Sequence, residues 1–256
     1  MPLRYEKSLR EPEIKAALID RLFSEGLIAD DAVVVSEMPV AGQSRRADLV
    51  LANGRLIGFE IKSDGDKTDR LQGQIDAYRK AFESIVVVTG PRHLDEVVAT
   101  TPDCVGIFVL VEDGSDALGA RLVRWPQLNR MGTERAIRQM RADELFRLAR
   151  SFGAVSASVR DRASLERIVR ELPAGAVRKA ALSAIKSRYR APFEAFMRIR
   201  NSEGSTLKAL SHLRRPPWNA RSVSSVPRWA ESEVDPGAGG SDLAALALSV
   251  RPRRLS

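Results

Sequence analysis

Two alternating segments, residues 46–52 and 56–62, constrain the fold of this chain most strongly. Successive side chains of a β-strand point to opposite faces, so apolar residues at every second position define one buried face. The short connection between the segments contains Asn53-Gly54, a pair that is typical of tight turns between antiparallel strands. The two segments therefore predict a β-hairpin with one apolar face and one polar face.

The register of the hairpin decides which charged side chains share a face. A two-residue turn at Asn-Gly would place Asp48 and Glu60 on opposite faces. A three-residue loop of residues 52–54, with its glycine in a left-handed bulge, pairs position 48 with position 58 and gathers Asp48, Glu60 and Lys62 on one face. We predict this second register because only it collects the apolar residues on the other face. Those residues are Ala47, Leu49, Leu51, Ile57, Phe59 and Ile61.

Two acids and a lysine on an inward-facing sheet surface are costly to bury unless something pairs them. A divalent cation can do so, because Asp48 and Glu60 offer oxygen ligands, the carbonyl of Ile61 offers another, and water completes a Mg²⁺ shell. Lys62 would then lie beside the bound water. Gly58 is on the same face, and we expect its missing side chain to leave room for a ligand. The alternative is a salt-bridged trio at the edge of a sheet.

A polar stripe follows on the next predicted helix, where every fourth position is polar. Its members are Asp66, Arg70, Gln74 and Tyr78. Arg70 could bind phosphate and Gln74 could order the water around a cation. An ordinary solvated helix face, with Tyr78 capping the core, is the alternative.

The order of the predicted elements is typical of an α/β fold. A helix is predicted at residues 8–25, with Ser8 as its N-cap and Gly26 at its end. Strands are predicted at residues 32–36, 47–52, 56–62, 85–89 and 105–111, an edge strand at 121–125, and a helix at 68–82 between the third and fourth strands. No apolar run approaches the roughly 18 residues of a membrane span, so we expect a soluble, cytoplasmic protein.

The second half of the chain is basic. Residues 131–256 carry 24 Lys and Arg against 12 Asp and Glu, whereas residues 1–130 carry 17 against 21. Helical spacing of apolar residues recurs at 134–152, 164–172 and 176–200, and the sequence beyond is rich in Pro, Ser and Gly. The predicted division is an α/β domain of residues 1–126, a basic helical unit of 127–200 and a largely disordered basic tail of 201–256. Such asymmetry is typical of phosphate-backbone binding, although it also fits a solvated surface.

The polar face and the following helix resemble the PD-(D/E)XK nuclease superfamily, in particular its RecB-like branch and a small, largely uncharacterised bacterial family within it. The matching motifs are Arg46-Ala47-Asp48, Phe59-Glu60-Ile61-Lys62 and Gln74-Ile75-Asp76-Ala77-Tyr78. The resemblance covers residues 8–112 approximately and implies a restriction-endonuclease-like α-β-β-β-α-β core with a mixed sheet.

The resemblance also implies roles for individual residues. Asp48, Glu60, the Ile61 carbonyl and Glu13 would hold the metal, with Glu11, Asp20 and Glu37 as alternatives to Glu13. Lys62 would be the catalytic lysine, Gln74 and Tyr78 would support it, and Arg46 and Arg70 would contact nucleic acid.

The expected function is a Mg²⁺- or Mn²⁺-dependent deoxyribonuclease of DNA repair, restriction or phage defence. One alternative is a non-cleaving nucleic-acid-binding or regulatory protein on the same fold. Another is a protein whose helical half binds a protein partner, which includes a second copy of itself.

Overall fold

A six-stranded mixed sheet forms the centre of the structure, a computed structural model that describes residues 10–29, 31–40, 44–112 and 118–213. The strands are β1 (Val33–Val40), β2 (Arg45–Ala52), β3 (Leu56–Lys62), β4 (Ser84–Thr89), β5 (Gly106–Glu112) and β6 (Leu118–Arg124). They lie in the sheet in chain order. β3, β4 and β5 are parallel to one another, whereas β1, β2 and β6 pair antiparallel with their neighbours.

Helices connect the parallel strands and cover the sheet. They are α1 (Glu11–Ser24), α2 (Leu71–Arg79), α3 (Leu94–Thr100), α4 (Thr133–Gln139), α5 (Ala142–Ser151), α6 (Arg162–Arg170), α7 (Ala174–Glu203) and α8 (Thr206–Ala209). The order α1-β1-β2-β3-α2-β4 with a mixed sheet confirms the predicted α/β fold. In the part of the chain that the structure describes, none of the helices combines the length and the apolar character of a membrane span.

α1 buries an apolar stripe against the sheet but begins later than predicted. Its N-cap is Arg10, whose backbone N–H donates to the Glu13 carboxylate at 3.2 Å. The helix ends before Gly26, which has a φ of +68°. The predicted N-cap, Ser8, lies outside the described residues.

The β2–β3 hairpin has the predicted faces but a different register. Ala52 pairs with Leu56, so the three-residue loop is 53–55 and the predicted loop at 52–54 is wrong by one position. Gly54 occupies the turn with a φ of +99°. As a result each residue of β3 pairs with a β2 residue two positions later than predicted: Gly58 pairs with Val50 and not with Asp48. A shift of two positions keeps every side chain on its face. All six residues of the apolar face are buried.

Gly58 does not leave room for a ligand, contrary to our expectation. A Cβ at this position would lie 2.3 Å from a ring carbon of Phe82. Phe82 packs edge-on against Tyr78 of α2, with the ring centroids 5.2 Å apart. The glycine therefore permits the close packing of an aromatic pair on β3, and the space that it leaves is filled by protein.

The helical half departs from prediction at two places. Residues 134–152, predicted as one helix, form α4 and α5, because the Arg141 N–H donates to Glu144 at 2.7 Å and begins a new helix. Residues 201–213, predicted as the start of the tail, complete α7 and form α8 and a 3-10 turn. The remainder of the predicted tail lies outside the described residues.

α7 lies along β1 and β2 and joins the helical half to the sheet. Its Lys186 forms an ion pair with Asp31, and Arg190 donates to the Ala32 carbonyl at 3.2 Å. Buried residues of α7 such as Ile185 and Phe196 belong to the same hydrophobic core as the strands. The sheet and the helices thus share one core, and a boundary at residue 126 stays a prediction.

Candidate functional site

The predicted site residues meet at a cavity of about 480 Å³ at the carboxyl end of β3. The lining consists of Glu11, Asp48, Glu60, Ile61, Lys62, Gly65, Asp66, Lys67, Asp69, Arg70 and Gln74. Seven of these come from the hairpin and the polar stripe that the sequence indicates. The predicted convergence of positions 48, 60 and 62 is therefore observed, because the period of two along the strands preserves it.

Glu60 is the most buried charged group of the cavity, with 1% of its surface exposed. Lys62 Nζ donates to its Oε1 at 2.9 Å, and the Tyr78 hydroxyl donates to its Oε2 at 2.6 Å. Burial raises the pKa of Tyr78 above its ordinary value, and the nearby carboxylates of Glu60 and Asp48 raise it further. The hydroxyl therefore stays protonated as a donor, and both oxygens of Glu60 are engaged within the protein.

Lys62 and the polar stripe complete this hydrogen-bonded network. Lys62 Nζ also donates to Gln74 Oε1 at 2.9 Å. Arg70 lines the cavity beside Gln74, whereas Asp66 accepts from the backbone N–H of Ser63 at 2.7 Å and shapes the loop after β3. The network pairs the buried charges by itself, which is the arrangement of the salt-bridged alternative.

Asp48 has an unusual protonation equilibrium. Its Oδ2 accepts the backbone N–H of Ile61 at 2.7 Å. Burial is the main cause that raises the pKa of Asp48, from an ordinary 3.8 to about 8, and the charge of Glu60 is the next; the Ile61 hydrogen bond opposes both. Asp48 therefore retains its proton at neutral pH.

A second group of carboxylates adjoins Asp48. One carboxylate oxygen from each of Glu11, Glu37 and Asp48 lies within 4.8 Å of the others. Glu37 lies in β1 between Ser36, which pairs with Leu49, and Met38, which pairs with Ala47, so the register places it opposite Asp48. Its φ of +58° is a left-handed backbone that is unusual for a residue with a side chain. The carboxylate of Glu37 thus lies beside those of Asp48 on β2 and Glu11 on α1.

Lys15 is the cation of this carboxylate group. Only 4% of Lys15 is exposed, and its Nζ lies 2.9 Å from Glu11, 3.1 Å from Glu37 and 3.2 Å from the Ser36 hydroxyl. Positions 11 and 15 are one helical turn apart and share a face, so both turn towards the sheet.

Two predicted site residues lie elsewhere. Glu13 forms an ion pair with Arg10 at 2.5 Å and is absent from the cavity lining, because it lies on the other side of α1 from Glu11. Arg46 is exposed and also absent from the lining; its backbone carbonyl lies 2.9 Å from the Tyr78 hydroxyl. The basic residue that sequence reasoning missed is Lys67, which lies in the loop before α2 and has no pattern that would indicate it.

The predicted Mg²⁺ or Mn²⁺ stays a prediction, and a second set of carboxylates is available for it besides the predicted donors. Each oxygen of Glu60 already accepts a hydrogen bond, from Lys62 or from Tyr78. Carboxylates of Glu11, Glu37 and Asp48 are hard oxygen donors of the kind that a divalent cation prefers. Their fit requires the loss of the Asp48 proton and competition with Lys15.

Comparisons with known proteins identify relatives of the chain. The sequence profile of the family described as bacteriophage P4 protein cII matches residues 4–214. Protein cII of Enterobacteria phage P4 is 33% identical over 189 residues, which cover 74% of this chain and 71% of that protein. No solved structure matches the chain.

These matches overturn the assignment to the PD-(D/E)XK superfamily. The profile spans the sheet and the helical half together, and neither relative is described as a nuclease. The predicted deoxyribonuclease and its roles in repair or restriction are therefore wrong. The motifs misled because Asp48, Glu60 and Lys62 do converge, and a buried hydrogen-bonded network can bring such groups together in a protein that is not a nuclease.

Proposed function

Because the chain belongs to the bacteriophage P4 protein cII family, and not to a nuclease superfamily, we propose that it is a regulatory protein that binds DNA without cutting it. The observation that carries the proposal is the charge of the helical half. Residues 127–213 contain 18 Lys and Arg against 8 Asp and Glu. A surplus of this size on a folded unit favours binding to a polyanion.

The arginines that support the proposal are exposed and have no carboxylate at ion-pair distance within the described ranges. They are Arg130, Arg138, Arg150, Arg160, Arg167 and Arg198. An unpaired guanidinium can bind a phosphate without first breaking an ion pair, and its planar fork matches two phosphate oxygens. Such contacts position a protein on the DNA backbone, and they carry no sequence information of their own.

The closed network around Glu60 supports the non-cleaving half of the proposal. The Tyr78 hydroxyl and Lys62 Nζ pair both oxygens of Glu60, and Lys62 also donates to Gln74, so these buried groups have a structural role that needs no cleavage chemistry. Binding of the helical half to a protein partner or to a second copy of the chain stays a prediction, in addition to the proposed DNA binding.

A binding and integrity assay tests the proposal. Labelled duplex DNA is titrated with the full chain from low to moderate salt, and supercoiled plasmid is incubated with protein and Mg²⁺ or Mn²⁺. We expect binding that weakens steeply with salt, because phosphate contacts release counterions, and a plasmid that stays supercoiled. Absence of binding at low salt, or nicking that a chelator prevents, would contradict the proposal. For the regulatory role, duplexes selected from a random pool should alter transcription when placed upstream of a reporter gene.

A further inference from the structure

A buried ion pair lies at the amino end of β4, far from the acidic cavity. The side chain of Glu83 is 0% exposed and accepts four hydrogen bonds. Two come from the backbone N–H groups of Leu56 and Met131, both at 3.1 Å, and two from Arg178 of α7, at 2.8 and 3.0 Å. The carboxylate is therefore fully satisfied, while 29% of the Arg178 side chain remains exposed.

The first arginine that flanks this pair is Arg55, in the β2–β3 loop. Its chain neighbours are both anchored: Leu56 donates to Glu83, and the carbonyl of Gly54 accepts from Arg178 Nη2 at 2.8 Å. These two contacts fix the backbone on either side of Arg55. The fold therefore holds the backbone of Arg55 next to the pair of Glu83 and Arg178.

The second flanking arginine is Arg130, in the segment between β6 and α4. The next residue, Met131, donates to Glu83, and the backbone N–H of Asn129 donates to the Glu83 carbonyl at 2.7 Å. Arg135 of α4 donates to the Arg130 carbonyl. The segment is therefore held against the sheet, with the exposed Arg130 side chain at its surface.

Arg55 and Arg130 thus each adjoin a residue whose backbone N–H donates to the Glu83 carboxylate, which Arg178 already pairs. In the ranges that the structure describes, the side chains of Arg55 and Arg130 form no ion pair and donate no hydrogen bond. Burial lowers the pKa of Arg55 below its ordinary value; Glu83 opposes the effect, and the charges of Arg178 and Arg130 add to it. Like charges held this close repel one another, and an anion bound between them would relieve the repulsion.

We propose that Arg55, Arg130 and the exposed edge of Arg178, the basic cluster, bind a phosphate group of a nucleic-acid backbone. The inference rests on the proposed function and deepens it by assigning residues to the contact. Guanidinium groups suit this ligand because each can donate two parallel hydrogen bonds to phosphate oxygens.

The location of the basic cluster separates the bound phosphate from the acids. Arg55 precedes the first residue of β3 and the cavity lies at its last residue, Lys62. The six residue steps of β3, at roughly 3.3 Å each, place its two ends about 20 Å apart. The phosphate bound at the basic cluster would therefore lie away from the carboxylates of the cavity.

The test compares two double variants of equal charge. Arg55→Gln with Arg130→Gln changes the basic cluster, and Arg92→Gln with Arg121→Gln is the matched control, because both control arginines are exposed and lie elsewhere on the α/β half. Each variant is titrated with a labelled duplex at several salt concentrations. Each is also melted with and without inorganic pyrophosphate, which probes the anion site without DNA.

We expect the cluster variant to bind DNA roughly tenfold more weakly at low salt and to lose about two units of the slope of log K against log salt, while the control loses little. Pyrophosphate should raise the Tm of the wild type and the control, but not that of the cluster variant. Neither variant should melt at a lower temperature without ligand, since the replaced side chains make no hydrogen bond among the described residues. The cluster variant should melt slightly higher, because its arginines no longer repel one another.

The remaining outcomes overturn the inference in distinguishable ways. If the wild type binds DNA and both variants lose the same affinity, the basic cluster is not the phosphate site, and the proposed function is unaffected. If the wild type does not bind DNA, but pyrophosphate raises its Tm and not that of the cluster variant, the proposed function is wrong. The basic cluster would then bind free phosphate and not a nucleic acid. Absence of both signals would overturn both proposals.

Discussion

At the scale of single residues, Asp48 makes the stability of the protein depend on pH. The folded state keeps the Asp48 proton up to a pKa of about 8, whereas the unfolded chain releases it near 3.8. Its contribution to the free energy of unfolding is therefore fully present below pH 3.8 and is lost as pH rises through 8, with a slope of at most about 1.4 kcal/mol per pH unit. Asp48→Asn should flatten this decline in urea unfolding between pH 5 and 9. An undiminished decline in the variant would contradict the assignment.

The carboxylates beside Asp48 carry a prediction about metal. If Glu11, Glu37 and Asp48 bind a divalent cation, Mn²⁺ should raise the Tm, and more so at pH 8.5 or so than at pH 6.5 or so, because the cation must displace the Asp48 proton. Glu37→Gln should abolish the shift, and Glu13→Gln, the matched control on the far side of α1, should retain it. Differential scanning fluorimetry with and without chelator measures the effect, and a shift that Glu37→Gln leaves intact would exclude this donor set.

Alternation along two strands was sufficient to predict that Asp48, Glu60 and Lys62 share a face, because strand parity is a local property. The role of Glu37 was not predictable in the same way. It depends on the register between β1 and β2 and on a left-handed backbone at Glu37, and no alternation of apolar residues marks that position. The partners of Lys15 likewise come from a strand 21 and 22 residues away.

At the scale of elements, Glu83 connects β3, the segment before α4 and the first turns of α7. Glu83→Ala would leave two backbone N–H groups and Arg178 without their acceptor, so we expect the free energy of unfolding to fall by roughly 3 kcal/mol or more. Glu194→Ala, an exposed acid on the same helix, is the matched control and should change it by less than about 0.5 kcal/mol. Urea unfolding of both variants decides; equal effects would show that the Glu83 hydrogen bonds do not hold α7 to the sheet.

The strands were predictable to within a few residues because their alternation or continuous apolar character is strong. β4, for example, spans Ser84–Thr89 against the predicted 85–89. α3 (Leu94–Thr100) was missed, since seven residues hold fewer than two helical turns and only Val97 among them is buried. The division of 134–152 into α4 and α5 was missed because the apolar spacing continues across the break.

At the scale of the whole molecule, the α/β class followed from the sequence, but the position of the helical half did not. The contact of Arg178 with Glu83 joins residues 95 apart, and neither residue belongs to a recognisable motif. The family assignment failed for a related reason: three short motifs described a local polar face correctly, whereas kinship is carried by the sheet and the helices together, over residues 4–214.

The separation of the acidic cavity from the basic cluster leads to a prediction about the whole protein. Lys62→Met would leave Glu60 buried with Tyr78 as its one remaining hydrogen-bond donor among the described residues, so the free energy of unfolding should fall by roughly 3 kcal/mol. DNA affinity of the folded protein should nevertheless stay within about twofold, because the change lies about 20 Å from the basic cluster. Lys67→Met, at an exposed position of the same cavity, is the matched control with unchanged stability.

Fluorescence anisotropy at a temperature where both Lys variants are folded gives the affinities, and urea unfolding gives the stabilities. A loss of DNA affinity in folded Lys62→Met, with Lys67→Met unaffected, would mean that the cavity itself contacts DNA. Equal affinities with unequal stabilities would show that the network around Glu60 stabilises the fold without contacting DNA. DNA binding would then be assigned to the end of β3 that lies opposite the cavity.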